Sequence, residues 1–221
     1  MKIIDIAHIS FPEINLPARS GHHLRGYFGT IFQEYSPLLH NHFEDGRLRY
    51  AYPLVQYKVL DGVPTLVGVE EGARLLVNLF LQIHELNIFG KTYPVPHKSI
   101  ELKEIEIGVA PALYNYHFNS LWMALNQENH EIYIKKDETE KQQQLNSILI
   151  KNILSFYKGM GLYLAPEERI LLTAKTTEKV TKFKGKQMLA FSGTFTTNAL
   201  LPDLIGLGKS VSRGFGAIRR I

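Results

Sequence analysis

The chain has 221 residues, 45% apolar and 21% charged, with a formal net charge of +4, an isoelectric point near 9.1 and no cysteine. That is enough chain for one domain or two small ones with a real core, in an ordinary soluble composition. The missing thiol excludes disulfides, cysteine nucleophiles and cysteine-ligated zinc. The mild basic balance admits a polyanionic partner, and no apolar run reaches the length of a membrane span.

Residues 1–10 are apolar with some alternation and predict a first strand. Lys2 and Asp5 place charge too early for a signal peptide, so a cytosolic protein is expected. Pro12 and Pro17 keep the next stretch extended. Ser20 is placed to cap a helix with Leu24, Tyr27, Phe28, Ile31 and Tyr35 at helical spacing, ending by Pro37. Residues 50–60 read as a strand with Val55, Tyr57 and Val59 on one face, and Asp61-Gly62 is a hairpin signal before the return at 66–69. Residues 72–86 put Leu76, Leu79, Ile83 and Leu86 on one helical stripe, and 100–109 form a further strand.

Up to residue 109 the order is βαββαβ, and Gly108 and Pro111 mark a boundary after which the same order restarts. Residues 113–123 predict a strand, followed by a polar loop. Asp137 with Glu140 makes a capping box for a helix that buries Leu145, Ile148, Leu149, Ile153, Phe156 and Tyr157 and stops at Gly159. Residues 169–183 and 187–197 form a long hairpin. Where a second helix belongs there is only 202–205, then a glycine-rich end. The fold class predicted is α+β: tandem ferredoxin-like (RRM-like, βαββαβ) halves over residues 1–110 and 111–221, with a C-terminal glycine-rich loop.

That last stretch, GLGKSVSRGFGAIRRI, brackets Lys209, Ser210, Ser212 and Arg213 with Gly206, Gly208, Gly214 and Gly216. Glycine permits positive φ and close approach, and successive backbone N–H groups there can cradle an anion. A Walker loop is excluded, because Asp203 stands where its first glycine belongs; Val211 likewise breaks the dinucleotide fingerprint. Residues 213–218 follow the opening of the RNP1 pattern, but Ala217 and Arg220 replace its stacking aromatics, which points to RNA-backbone contact. At the hairpin tip Lys179, Lys182, Lys184 and Lys186 cluster. A solvated turn that discourages edge pairing explains them, as does phosphate contact.

Taken with the stretches His40-Asn41-His42, 52–58 (YPLVQYK) and 67–72 (VGVEEG), the C-terminal run 207–216 (LGKSVSRGFG) makes the chain resemble the CRISPR-associated endoribonucleases of the RAMP superfamily that cut repeat RNA into guide RNAs. It is most similar to the branch with paired histidines after the first helix. The resemblance implies metal-independent cleavage, with 2′-OH attack leaving a 2′,3′-cyclic phosphate and a 5′-OH. It further implies repeat RNA as partner, with other CRISPR effector proteins and a second copy of the chain as further candidates, and no cofactor, metal or membrane.

Chemistry supports the histidines. Attack by a 2′-OH needs a base and an acid, and imidazole titrates near working pH. Added charge on the phosphate needs a fixed cation. His40 and His42 stand beside Arg47 and Arg49, with Tyr27 on the preceding helix as a weaker supporting candidate. The candidate catalytic residues are therefore His40 and His42, supported by Tyr27, Arg47 and Arg49. The candidate RNA-binding residues are Gly206, Gly208, Lys209, Ser210, Ser212, Arg213, Gly214 and Gly216 with Lys182, Lys184 and Lys186. Two other readings stay open: a binding-only subunit of a CRISPR ribonucleoprotein, and, ranked lower, a metal-dependent hydrolase using His40 and His42.

Overall fold

In the computed structural model residues 1–31, 52–183 and 185–221 are described. The chain divides into two units. The first comprises Ile3–Ile105 with Ser212–Gly214; the second comprises Met1–Lys2, Glu106–Val211 and Phe215–Ile221.

The first unit begins with β1 (Lys2–Ser10), whose Ile4, Ile6, Ala7 and Ile9 are buried. A 3-10 turn (Ala18–Ser20) leads into α1 (Gly21–Ile31), which buries Leu24 and Phe28. Ser20 is buried within the turn, its hydroxyl without a hydrogen-bond partner among the described residues, so the expected cap does not form. β2 (Val55–Leu60) and β3 (Val63–Val69) are antiparallel, joined through Asp61 and Gly62 at φ 51° and 86°. That is the paired left-handed geometry a two-residue hairpin demands, and Asp-Gly supplies it. α2 (Glu71–Phe80) packs Ala73, Leu76 and Leu79 into the core.

The helix expected over 72–86 therefore ends early. Leu86 and Ile88 are instead the inward positions of β4 (Glu85–Ile88), which among the described residues pairs with β5 (Lys91–Pro94) in a two-stranded sheet. Every residue of β2 is buried, including Gln56 and Lys58, so that strand is covered on both faces rather than one. The main sheet runs β2-β3-β1-β6, where β6 is Ser99–Phe118, and this is the ferredoxin-like order.

In β6 the strands expected at 100–109 and 113–123 are one element that runs through Pro111. Pro111 is exposed and falls inside the register shift against β8 between Val109 and Tyr114, where a missing N–H costs no ladder bond. The second unit continues with α3 (Gln127–Tyr133), in what sequence reads as loop, and α4 (Glu138–Gly159). The Asp137–Glu140 capping box is present, and the six expected apolar side chains of α4 are all buried. β7 (Leu172–Phe183), β8 (Lys186–Leu200) and the short β9 (Ile218–Arg220) give the order β7-β8-β6-β9, the ferredoxin-like order again. Its core is aromatic: Tyr116 stacks on Phe195 at 5.3 Å, and Trp122 lies parallel to Phe118 at 5.3 Å. Tyr157, from α4, donates its hydroxyl to the carbonyls of Gly108 and Leu200 at 2.6 and 3.1 Å.

Candidate functional site

His40, His42, Arg47 and Arg49 fall in residues 32–51, between α1 and β2 in sequence, and lie outside the described residues, as does Lys184. Tyr27 is described. Its hydroxyl donates to the Glu85 carbonyl at 2.7 Å, tying α1 to β4, and burial, reinforced by Glu85, raises its pKa. A phenol that holds its proton and directs it at a backbone carbonyl positions the helix.

Around the start of α1 the first unit gathers Arg213, which the sequence reading named, with Arg25 and Lys58, which it passed over. Arg213 lies against α1: a Cβ on Gly21 would stand 2.6 Å from the Arg213 carbonyl and 2.9 Å from that of Tyr57. A Cβ on Gly214 would stand 3.3 Å from the Tyr57 carbonyl and 3.6 Å from the Lys58 Cα. Arg25, half-buried on α1, has its guanidinium pKa lowered, first by burial and then by the charge of Arg213, while Tyr57 offsets part of this. A second guanidinium close enough to act on Arg25 favours an anion between or beside the two.

Lys58 is the sharper case. It is fully buried on β2, its Nζ has no hydrogen-bond partner among the described residues, and burial pulls its pKa down to about 7. A buried, unpaired ammonium is among the most costly groups a fold can retain. The sequence offered a signal in Gln56 and Lys58 flanking Tyr57, but strand alternation assigns both to the solvent side. Tyr57 adds a buried hydroxyl without a partner among the described residues, its pKa raised by burial despite Arg25.

In the second unit the loop is tightly folded on itself. Gly208 and Gly216 have φ of 96° and 67°. A Cβ at Gly208 would stand 2.7 Å from the Trp122 Nε1, and one at Gly216 would collide with the Leu207 carbonyl. Both glycines are thus fixed by packing as well as conformation. Gly206 is buried too, against Val211 and Phe215. The amides of Leu207, Lys209 and Gly216 donate to the carbonyls of Gly216, Met123 and Leu121. Those three N–H groups belong to the fold and are not offered to a phosphate.

Lys209 is exposed, and Ser210 and Ser212 are partly so. With Gly208, Lys209 edges a groove of about 540 Å³ whose other side is Lys136, Lys151, Gln143 and Gln144. Lys182 and Lys186, both exposed, sit at the β7–β8 hairpin tip, and Phe183 there meets the loop's Phe215 edge to face at 5.4 Å. The structure thus brings the hairpin lysines and the loop's second-unit residues to one region, which sequence alone left as separate features.

Comparison with known proteins agrees along the whole chain. Residues 2–106 match the Cas6b N-terminal domain and residues 108–221 the Cas6b C-terminal domain. A crystal structure of Cas6b is similar at TM-score 0.93 and 33% identity, with both chains covered completely. A CRISPR RNA processing endoribonuclease, Cas6b, is similar at TM-score 0.80 and 30% identity, again over 100% of each chain. An uncharacterised protein of Methanocaldococcus jannaschii is 36% identical over 143 residues, 65% of this chain and 97% of its own. The chain belongs to the Cas6b family.

Proposed function

We propose that this protein is an endoribonuclease that cuts CRISPR repeat RNA into guide RNAs, without a metal, by attack of a ribose 2′-OH on the adjacent phosphate. The observation that carries the reading is the end-to-end similarity to the CRISPR RNA processing endoribonuclease Cas6b. One of His40 and His42 takes the 2′-OH proton as the 2′-oxygen bonds to phosphorus. The other protonates the departing 5′-oxygen as its bond to phosphorus breaks, leaving a 2′,3′-cyclic phosphate and a 5′-OH. Lys58, Arg25 and Arg213 are the cations for the phosphate as its charge grows. A phosphate brought beside Lys58 favours its charged form, so an amine near pH 7 is ammonium when substrate is bound. The loop and hairpin lysines hold the RNA backbone.

The test is cleavage of repeat RNA in excess EDTA, with a matched substrate carrying one deoxyribose at the scissile position. Cleavage should survive chelation, and the deoxy substitution should abolish it, because it removes the nucleophile and leaves the phosphate charge intact. Loss of activity on chelation, or cutting of the deoxy substrate, would assign the chemistry to metal-activated water. Tight binding with no cleavage of any repeat would make the protein a binding subunit.

A further inference from the structure

The β4–β5 hairpin lies outside the βαββαβ plan, and its tip carries a residue that its backbone does not favour. The two-residue turn is Phe89-Gly90, at φ 57° and 71°. Both positions of such a turn need left-handed backbone, which Asn, Asp and Gly accept and a bulky L-residue resists. Phe89 is also 56% exposed, so the ring gains little from burial to offset that strain. Hairpin formation alone is better served by Asn-Gly.

The ring is held in place. Leu86 and Ile88 anchor β4 in the first unit's core, and the Tyr27 hydroxyl clamps Glu85 from α1. On one side Phe89 meets His23 at 4.0 Å between ring centroids, and His23 meets His22 at 3.8 Å. His22 is fixed in turn through its Nδ1 against the Arg19 carbonyl at 2.7 Å. His23 has its pKa lowered by burial first, then by His22 and Arg19, so its ring stays neutral and acts as a flat surface. The result is a row of three rings, exposed at both the Phe89 and the His22 ends. Arg19 stands beside the row, Arg25 lies further along the same helix, and exposed Lys91 follows the turn.

Pre-set aromatic faces among cations are what proteins use to hold single-stranded nucleic acid: bases stack on the rings while the charges track phosphates. We propose that the His22–His23–Phe89 row is a stacking platform for an unpaired base of the RNA substrate. This rests on the RNA-processing reading above and names a contact for it. A protein partner would use the apolar ring without needing the flanking cations, and the neutral, edge-charged arrangement favours a base.

Two substitutions of Phe89 separate stacking from packing. Phe89→Asn suits the turn, so it should raise the melting temperature while weakening binding of a single-stranded repeat RNA by about five- to a hundredfold. Its salt slope should match the wild type, because every phosphate-binding cation is still present. Phe89→Trp keeps a stacking face and should bind like the wild type. The chain's one native tryptophan, Trp122, is buried, so the new exposed indole should report directly, its emission quenched as RNA saturates the protein. Unchanged RNA affinity in Phe89→Asn, or an unquenched indole at saturation, would overturn the platform while leaving the nuclease reading intact. A drop in melting temperature matching the loss of binding would assign the ring to packing. A wild type that binds no repeat RNA in the same assay would instead overturn the RNA-processing reading.

Discussion

The two units share one strand order and differ in what they tolerate. The second is a closely fastened scaffold: its long helix carries a complete capping box, Tyr157 uses its hydroxyl twice, and the loop glycines fit their neighbours closely, although it too holds Leu204 in left-handed backbone and leaves buried polar atoms of His117, Asn119 and Gln144 without partners among the described residues. The first keeps costly features of another kind, namely a fully buried lysine without a partner among the described residues, an Arg25 guanidinium set near that of Arg213 and a phenylalanine in left-handed backbone. A fold retains such strain where it has use for it. On the proposed reading the first unit holds the chemistry and the base-stacking rings and the second the lysines that grip the RNA backbone, and each assignment can be broken.

The largest expected effect is on rate. His40→Ala and His42→Ala should each slow single-turnover cleavage by about 10²–10⁴-fold with repeat-RNA affinity nearly unchanged, since a proton-transfer group acts in the transition state. The double variant should lose less than the product of the two losses, as residues acting as a unit do. Equal loss of rate and affinity would move the histidines to binding.

Next comes stability. Lys58 has a folded pKa of about 7 against an ordinary 10.5. Between those pH values the unfolded chain binds the proton and the folded chain releases it, so this residue makes stability rise with pH by ~1.4 kcal/mol per unit. Lys58→Met should therefore be more stable than the wild type at pH 7, with the gap closing as pH approaches 10.5 in denaturant titrations. It should also cleave more slowly. A variant less stable at pH 7 would show that the amine is paired, and the strain assigned to the first unit would shrink.

The smallest effect tests the second unit. Combining Lys209→Ala with Lys182→Ala and Lys186→Ala should weaken RNA binding similarly for all sequences and leave the rate at saturating protein unchanged. The slope of log K against log salt should flatten by roughly 0.7 for each phosphate of single-stranded RNA that no longer meets a lysine. An unchanged slope would reduce these lysines to solubility.

Where local signals were redundant, the sequence sufficed. Asp137 and Glu140 could cap only a helix, the apolar spacing from Leu145 to Tyr157 fits only one period, and both strand orders follow from the repeated element pattern. It failed where two periods coincide. Ile83 and Leu86 continue the α2 stripe, yet Leu86 and Ile88 equally satisfy a strand, and sequence could not choose. Pro111 signals a boundary in general and is harmless in β6 because it meets a register shift. Lys58 was hidden by the rule that a strand's polar face looks outward, which fails for a strand covered on both sides. In the loop, the glycines announced an anion site but answer first to packing, while the proximity of Phe215 to the hairpin tip depends on contacts distant in sequence.

Trp122 has a consequence for how this protein can be watched. It is the sole indole, it lies flat on Phe118, and its N–H donates to Asn152 at 3.1 Å, all within the second unit. Its emission colour during denaturation therefore keeps time for that unit alone, whereas far-ultraviolet dichroism averages over both. Any lag between the two traces measures, without a label, how independently the scaffold and its strained counterpart melt.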